Sequence, residues 1–531
     1  MALQRLGIRI ALILMACGLL LAWQNSEAVL TDTTQTPNTV NAGIHKSLAQ
    51  EIGPGRGTDR TPGSALYLIR RDPLRAVRRG RQLFHRKFTR TQGQGPRVHD
   101  GIGDIERDPR LGAGLTDACA SCHNRPKGSA GVGGSVFTRP EGRDAPHLFG
   151  IGLVEELADE ITWDLRRQRD AARKAALATG KVVRRRLRSK GIDYGVLVAH
   201  PDGSLDNSGL SGIDPDLRVK PFMAEGSVFS IRDFIVNFGF KPEMGLEAWD
   251  PDLAAAARGQ RVVTPSGLVL DGSQDHLTMP PVSGPQEDGD GDGVVAEIDP
   301  AVVDYLEFYL LNYFRPAEYR QTRLTRRGHR LFRRIGCADC HRENLVVEHD
   351  RRVADVDTRY DEQRGIFNHL YATVSARFVS RSDVPGLPPL KLPAGRRFVV
   401  RGIYADFKRH DLGPAFYERN FDGSWTRAFM TEPLWGVGST APYGHDGRSV
   451  TLHEVILRHG GEAAASRDAY EDLRPGQQEA VLAFLRSLVL FPPDDTASNL
   501  DPGDRSAPGF PQYGHGSIRL SVLFNDPSDP E

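Results

Sequence analysis

Two copies of one short motif carry the residues best suited to redox chemistry. Cys119-Ala-Ser-Cys122-His123 and Cys337-Ala-Asp-Cys340-His341 each place two thiols three positions apart, with a histidine directly after the second. This spacing lets both sulfurs form thioether bonds with one haem while the histidine binds its iron. A zinc knuckle needs four ligands and each motif offers three, whereas a redox-active cysteine pair needs no histidine. The sequence therefore predicts two covalently bound haem c groups with His123 and His341 as proximal ligands.

The start of the chain is typical of an export signal. A basic beginning precedes an apolar run from Ile10 to Trp23, and Ser26-Glu27-Ala28 offers small residues where signal peptidase cleaves. We expect a signal peptide over residues 1–28 and a periplasmic location. An uncleaved anchor helix and a lipid anchor at Cys17 are the alternatives.

Composition excludes some classes of partner. The chain of 531 residues holds 68 Lys+Arg and 68 Asp+Glu, and this balance argues against a nucleic-acid binder. After the signal, no segment reaches the roughly 20 consecutive apolar residues of a membrane span. We therefore expect no transmembrane segment in the mature chain.

A repeated segment predicts two related domains. Residues 78–84 (Arg-Arg-Gly-Arg-Gln-Leu-Phe) resemble residues 326–332 (Arg-Arg-Gly-His-Arg-Leu-Phe), and each reads as a helix that precedes one haem motif. The predicted fold class is mainly α, with two tandem cytochrome c-type haem domains, long loops and little β. The predicted division is a signal peptide (1–28), a flexible leader (29–74), an N-terminal haem domain (75–320), a C-terminal haem domain (321–494) and a tail (495–531).

Two charged segments of the N-terminal domain can each be interpreted in two ways. Residues 166–190 contain eleven Lys or Arg and the single acid Asp170. They are either a solvated helix face or a docking patch for an acidic electron donor. The second segment is either a hydrated acidic loop or a calcium loop, in which alternate side chains converge on one ion. Its predicted ligands are Asp288, Asp290, Asp292, Val294 and Asp299, with Glu297 as a substitute for the last.

Several stretches resemble the bacterial di-haem oxidoreductases, which belong with the di-haem cytochrome c peroxidases and the methylamine-utilisation di-haem enzyme. The resemblance spans residues 75–494 in the right order and is patchy between residues 163 and 300. The stretches that carry it are residues 117–126 around the first motif, 148–155, 242–245 (Pro-Glu-Met-Gly), 433–438 (Pro-Leu-Trp-Gly-Val-Gly) and 440–447 (Thr-Ala-Pro-Tyr-Gly-His-Asp-Gly).

The resemblance implies a sixth ligand for the second haem. In the peroxidases it is a methionine fourteen positions after the histidine of a Pro-Tyr-x-His motif, and in the methylamine enzyme it is a tyrosine. The same count from His445 reaches His459. Residues 451–459 also predict a helix on their own pattern, with His459 on the face of Leu452 and Val455, so a buried core histidine is the alternative. His445 itself resembles a family histidine at the haem edge, and the role of His410 is open.

The sequence favours an open coordination position at the iron of the first haem. Residues 124–146 contain no histidine, and His147 is the first available sixth ligand. Glu243 of the Pro-Glu-Met-Gly stretch matches the family's distal acid–base glutamate, whose pKa an apolar pocket should raise. The family often places a tryptophan between its haems, and Trp163, Trp249 and Trp435 are the candidates here.

These features favour an enzyme that reduces hydrogen peroxide, or uses it to oxidise a substrate, at the N-terminal haem. The C-terminal haem would relay electrons from a small redox protein or a quinol-linked donor. A pure electron-transfer cytochrome is one alternative. A dioxygen-using enzyme that resembles the di-haem rubber oxygenases is the other.

Overall fold

The computed structural model describes part of the chain. The described residues are 29–31, 48–86, 88, 98–99, 102–103, 118–123, 130, 135–136, 143–289, 295, 297–313, 315–318, 321–360, 370–420 and 422–490. The predicted signal peptide and the predicted tail lie outside these ranges. Within them, no helix combines the length and the apolar character that a membrane span requires.

Helices hold more of the described residues than strands do, which supports the predicted mainly helical class. A π-helix at Ile235–Met244 and short 3-10 turns at Cys337–Asp339 and Gly461–Ala463 add to them. The α-helices are α1 (Leu48–Ile52), α2 (Ala65–Arg71), α3 (Pro73–His85), α4 (Cys119–Cys122), α5 (Ile151–Thr179), α6 (Ile231–Phe234), α7 (Pro251–Ala257), α8 (Pro300–Leu311), α9 (Arg323–Arg334), α10 (Leu452–Arg458), α11 (Ala464–Glu471) and α12 (Pro475–Arg486).

The strands are short and form small antiparallel sheets. Two sheets have three strands, in the orders β1-β14-β13 and β6-β7-β8, and the other described sheets are pairs. The strands are β1 (Val29–Thr31), β2 (Val98–His99), β3 (Ile102–Gly103), β4 (Ser135–Val136), β5 (Arg143–Asp144), β6 (Val183–Ser189), β7 (Ile192–Ala199), β8 (Leu205–Leu210), β9 (Arg261–Val263), β10 (Val269–Asp271), β11 (Ala317–Glu318), β12 (Leu345–Val347), β13 (Ala354–Tyr360), β14 (Leu370–Ala376), β15 (Phe378–Arg381), β16 (Leu390–Pro393), β17 (Phe398–Val400), β18 (Arg409–Asp411), β19 (Glu418–Arg419), β20 (Trp425–Thr426), β21 (Ala428–Met430) and β22 (Leu488–Val489).

The two repeated segments form helices with equivalent packing. Gly80 of α3 lies against the Tyr305 carbonyl of α8, where an added Cβ would come within 2.2 Å of the oxygen. Gly328 of α9 lies against the Ala480 carbonyl of α12, where the corresponding distance is 1.8 Å. Only glycine permits such close helix crossings. The repeat therefore marks two helix pairs, each of which leads into one haem motif.

The predicted flexible leader is partly folded. Residues 48–71 contain α1 and α2, and Leu48, Leu68 and Ile69 are buried in the larger hydrophobic core. The Arg71 guanidinium donates two hydrogen bonds of 2.8 Å to the Asp383 carboxylate. The sequence did not predict α1 and α2, because both are too short to show a helical period and the surrounding segment is rich in Thr, Gly and Pro.

The basic segment is only half helical. Helix α5 runs for 29 residues and ends at Gly180, whose φ of 63° allows the chain to reverse. The rest of the segment is strand β6, which opens the three-stranded sheet β6-β7-β8. The interpretation as one solvated helix face is therefore wrong for residues 183–189. The alternation of buried Leu187 and Ser189 with exposed Arg186 and Arg188 is the period of a strand.

Candidate haem sites and the residues between them

The first motif has its histidine oriented as a metal ligand requires. Cys119 and Cys122 begin and end the single turn α4, and His123 follows. The Nδ1–H of His123 donates to the carbonyl of Pro146 at 2.8 Å, and the Phe84 ring of α3 lies 6.5 Å from the imidazole. A metal-ligating histidine usually donates its other ring N–H to a carbonyl in this way, which fixes the tautomer and the ring orientation.

The second motif repeats this arrangement. His341 donates from Nδ1 to the carbonyl of Tyr404 at 2.9 Å, and the Phe332 ring of α9 lies 6.2 Å from the imidazole. Burial raises the pKa of Cys119 and of Cys337 to about 12. Neither is therefore a ready thiolate for zinc or thiol exchange, and all four motif cysteines are outside any disulfide. The residues present fit a covalently attached haem at each motif.

His459 lies near His341, at the end of a well-capped helix. Thr451 and Glu454 form a reciprocal capping box at the start of α10, and His459 follows its last residue. The Nδ1–H of His459 donates to the Val455 carbonyl at 2.7 Å. Burial and the neighbouring His459 together lower the pKa of His341 to about 4, although the hydrogen bond to the Tyr404 carbonyl raises it. The predicted helix is confirmed, and the Nε2 of His459 is left available on the side of the second motif.

His445 lies beside the same site with its imidazole engaged elsewhere. Its ring stacks on Phe429 with centroids 4.1 Å apart, and its Nε2 is 3.6 Å from the Glu418 carboxylate. Phe416 contacts both imidazoles, with its ring 6.2 Å from that of His445 and 5.3 Å from that of His459. The imidazole is therefore held by Phe429 and Glu418, and its haem-edge role stays a prediction.

His410 joins the two segments that flank the second site. Its Nε2 contacts Asp406 at 2.9 Å and its Nδ1 contacts Glu462 at 2.8 Å. Burial alone would lower the pKa of His410, but hydrogen bonds to Asp406 and Cys340 raise it to about 11. The imidazolium thus connects the segment after Tyr404 with the turn after His459. The sequence left this role open, since only the fold brings the two carboxylates together.

Glu243 lies on the π-helix and close to the first motif. Burial raises the pKa of the Cys122 thiol, and the nearby Glu243 carboxylate raises it further. Phe240 and Met244 of the same helix are buried, and Phe240 packs edge-on against Phe88 at 5.5 Å. π-Helices occur frequently at functional sites, because the wider turn re-aims side chains.

Both ring nitrogens of His147 take part in hydrogen bonds. Nδ1 accepts from the N–H of Phe149 at 3.2 Å, and Nε2 lies 3.0 Å from the Trp435 carbonyl, to which it donates. Burial lowers the pKa of His147 to about 4, so the ring is neutral. In this tautomer no lone pair of His147 remains for iron.

Of the three candidate tryptophans, Trp435 lies between the two motifs. Its ring packs on Gly150, where an added Cβ would come within 2.8 Å of it, and its carbonyl accepts from His147, the neighbour of Pro146. The adjacent Leu434 N–H donates to the Ile403 carbonyl at 3.1 Å, one residue before Tyr404. Trp163 instead lies against Arg261, at 5.9 Å. A route of covalent and hydrogen bonds therefore runs from Pro146 through His147, Trp435, Leu434 and Ile403 to Tyr404.

Hydrogen bonds connect the described ends of the predicted calcium loop with the segment after Glu243. Gly289 donates its N–H to the Glu247 carboxylate at 2.7 Å, and Glu247 donates its own N–H to Glu297 at 2.7 Å. The Asp299 carboxylate accepts from the Ala301 N–H and caps α8, so this predicted ligand has a structural role. Asp288 is described, whereas Asp290, Asp292 and Val294 lie outside the described residues.

Comparison with known proteins confirms the family over part of the chain. The family model described as "Di-haem oxidoreductase, putative peroxidase" matches residues 342–488. Over these residues the chain is similar to the di-haem oxidoreductase family. The match begins directly after His341 and includes His410, Trp435, His445 and His459. The match supports a haem-dependent oxidoreductase.

No curated protein matches the chain. Among solved structures, the "Crystal structure of a MauG-like protein associated with microbial copper homeostasis" is similar at 17% identity and a TM-score of 0.24. The similarity covers 55% of this chain and 77% of that one.

Proposed function

We propose that this protein is an exported di-haem c-type peroxidase, which reduces hydrogen peroxide or a similar small oxidant at the N-terminal haem. The observation that carries the proposal is the difference between the two sites. At the second motif, His341 and His459 both have an Nε2 available. At the first, the hydrogen bonds of His147 occupy both its nitrogens, and the Glu243 carboxylate is nearby instead.

Each haem, when bound, supplies an iron that can exchange electrons with a ligand or a neighbouring centre. His123 would hold the first haem, and its Nδ1–H bond to the Pro146 carbonyl keeps the ring fixed. His147 stays neutral and its hydrogen bonds engage both nitrogens, so it would not be a second ligand, and the haem could bind a small oxidant. A haem with an open position can react, whereas one with two protein ligands passes electrons.

Glu243 is the proposed catalytic residue. Cleavage of the peroxide O–O bond requires that a proton leave the oxygen nearer the iron and reach the outer oxygen. A carboxylate can accept this proton and return it, and such acid–base groups contribute about 10² to 10⁴ in rate. The buried Phe240 and Met244 fix the backbone on either side of this part of the π-helix.

We propose that electrons reach the first site from the second through Trp435. The C-terminal haem, held by His341 and His459, is the relay for an external donor, either a small redox protein or a quinol-linked one. Trp435 connects His147, which follows Pro146, with Ile403, which precedes Tyr404. The carbonyls of Pro146 and Tyr404 accept hydrogen bonds from the two proximal histidines. The buried indole also fills the space beside Gly150.

We also propose that residues 288–299 bind calcium. Asp288, Asp290 and Asp292 supply alternate carboxylates, and Glu297 is better placed than Asp299 to complete the set, since Asp299 caps α8. Calcium there would stabilise Glu247, four residues after Glu243, through its hydrogen bond with Gly289.

Substitution of Glu243 by Gln tests the proposed function. Gln keeps the shape and removes the base, so peroxide consumption should fall by about 10² to 10⁴. Glu479→Gln, on an exposed face of α12, is the matched control and should leave the rate unchanged. Mass spectrometry should show two haems in both variants, so that a loss of cofactor cannot explain a fall in peroxide consumption.

The outcome separates the proposal from its alternatives. Normal activity of Glu243→Gln would make Glu243 structural. Wild-type protein that ignores peroxide would favour an electron carrier, or, if it forms a stable dioxygen complex, an oxygenase.

A further inference from the structure

The surface formed by the end of α5 and strand β6, here called the basic face, concentrates positive charge in a chain with equal numbers of acids and bases. Residues 166–210 contain eleven Lys or Arg and four Asp or Glu. The exposed basic side chains are Arg167, Arg173, Lys174, Lys181, Arg184, Arg185, Arg186 and Arg188. Among the described acids, Asp193 neutralises part of this charge through Arg186 and Arg188.

The basic face also has an apolar centre. Leu177, near the end of α5, and Val182, just before β6, are each 53% exposed, which is unusual for side chains of this size. Arg173 and Leu177 both lie beside Gly203, and Val182 is followed by the exposed Arg184 on β6. Apolar side chains within a charged rim are the usual composition of a protein–protein docking surface. Edge-strand protection explains one or two charges on β6, but it does not explain exposed Leu177 and Val182.

The sheet beneath this face contacts the second haem site directly. Tyr194 of β7 is fully buried and its hydroxyl donates to the Asp406 carbonyl at 3.2 Å. Asp406 lies two residues after Tyr404, which fixes His341. In the strand register, Arg188 pairs with Asp193 and Arg186 pairs with Val196, on either side of Tyr194.

A second connection fixes the same sheet to the same segment. The Arg409 N–H donates to the Gly212 carbonyl at 2.9 Å, shortly after β8. Lys190, at the turn after β6, contacts the Val346 carbonyl and Glu160. The basic face is thus separated from the His341 segment by the thickness of one sheet, whereas the first motif is at the far end of α5.

We propose that the basic face docks a small acidic redox protein, which gives one electron at a time to the ferric iron of the C-terminal haem. In each step the donor centre is oxidised and that iron is reduced. The inference rests on the proposed function in one respect, namely that the C-terminal haem is the relay. Charge complementarity selects an acidic partner, and the apolar centre favours a folded protein over a nucleic acid.

A charge-removal pair tests the proposal. The docking variant changes Arg184, Arg186 and Arg188 to Gln. The control variant changes Arg381, Arg396 and Arg397 to Gln, which removes the same charge from exposed positions on and near the β15-β16 sheet. The probe is flavodoxin, a small acidic protein, and the small cation radical of methyl viologen is the reductant that needs no docking.

Stopped-flow measurements should follow reduction of the low-spin haem at low and high ionic strength, with the dissociation constant of oxidised flavodoxin measured by calorimetry. We expect the docking variant to lose about tenfold in the second-order rate constant and in affinity at low salt. The loss should disappear near 0.5 M salt, roughly, because screening removes steering. The control variant should change by less than about twofold, and reduction by methyl viologen should be equal in all three proteins.

Equal losses in the two variants would overturn the proposal, since general charge would then explain them. So would tighter binding of a DNA oligonucleotide or anionic vesicles than of flavodoxin to the same face. If flavodoxin docks normally but the protein does not react with peroxide, the docking proposal stands and only the proposed peroxidase function is rejected.

Discussion

Arg232 anchors the helix that leads to Glu243, and its replacement by methionine should cost much of the protein's stability. It lies in α6, which continues into the π-helix. The guanidinium contacts Asp250 at 2.7 Å, Asp304 at 2.8 Å and Glu307 at 2.6 Å, and all four side chains are fully buried. Methionine fills much of the same space without the charge, so lost packing contributes little.

The expected loss follows from the carboxylates left behind. Removal of one partner from a buried ion pair costs about 3–5 kcal/mol, because the other charge remains desolvated. Here four carboxylates lose a partner, since Asp252 lies 3.4 Å from the guanidinium as well, although Arg56 still contacts Asp252 and, at 3.1 Å, Asp304. We expect a loss of roughly 3–5 kcal/mol at pH 8, a large share of the 5–15 kcal/mol typical of a folded protein.

The loss should be smaller in acid. Burial raises the pKa of Asp304 to about 6 and also raises that of Glu307, even with Arg232 beside them. Without Arg232 both pKa values should rise further. A carboxyl with a raised folded-state pKa stabilises the fold below its unfolded pKa and loses this contribution as pH rises through the folded value. Arg232→Met should therefore be less destabilised at pH 5 than at pH 8.

Urea unfolding at both pH values measures these effects. The matched control is Arg397→Met, because Arg397 pairs with Glu348 at 3.2 Å while both side chains are more than half exposed. The control should lose less than about 1 kcal/mol. A loss below about 1 kcal/mol for Arg232→Met, or one equal at both pH values, would refute the electrostatic reasoning.

Three further predictions concern the second haem site, the route between the haems and the calcium loop. His459→Ala should convert the C-terminal haem from low-spin to high-spin and raise its potential, because an imidazole ligand is lost; an unchanged optical spectrum would contradict the ligand assignment. Trp435→Phe removes the indole and keeps the main-chain route, and it should slow electron transfer between the haems, measured by flash photolysis, while both haem spectra stay normal; an equal rate would show that the indole takes no part in the transfer. Chelation of calcium should lower the melting temperature of the wild-type protein, since an ion bound only to the folded state adds stability, and Asp288→Asn should reduce this effect; insensitivity to calcium would leave a hydrated loop.

Residues whose roles depend on local spacing could be predicted from the sequence. Cys119 and Cys122 need only the next residue, His123, to define a haem motif. The helix before His459 was predicted because its apolar residues follow a helical period and its capping residues are local. Gly80 and Gly328 were visible as a repeat, although their function as helix-crossing points was not.

Residues whose roles depend on distant partners could not be predicted in this way. The engagement of His147 depends on the Trp435 carbonyl, 288 positions away in the chain. His410 acts through Glu462, and Tyr194 acts through Asp406. Arg232 carries no motif, and only the fold brings its three carboxylates together. The basic segment was misread for a related reason, since its strand half is stabilised by pairing with β7, which a helical charge pattern does not reveal.

The EPR spectrum of the purified ferric protein, recorded with and without hydrogen peroxide, tests the central claim most directly. We expect one high-spin signal from the haem at His123 and one low-spin signal from the haem held by His341 and His459. Peroxide should remove the high-spin signal within the mixing time. Two low-spin signals that do not respond to peroxide would contradict the account, because both irons would then be closed.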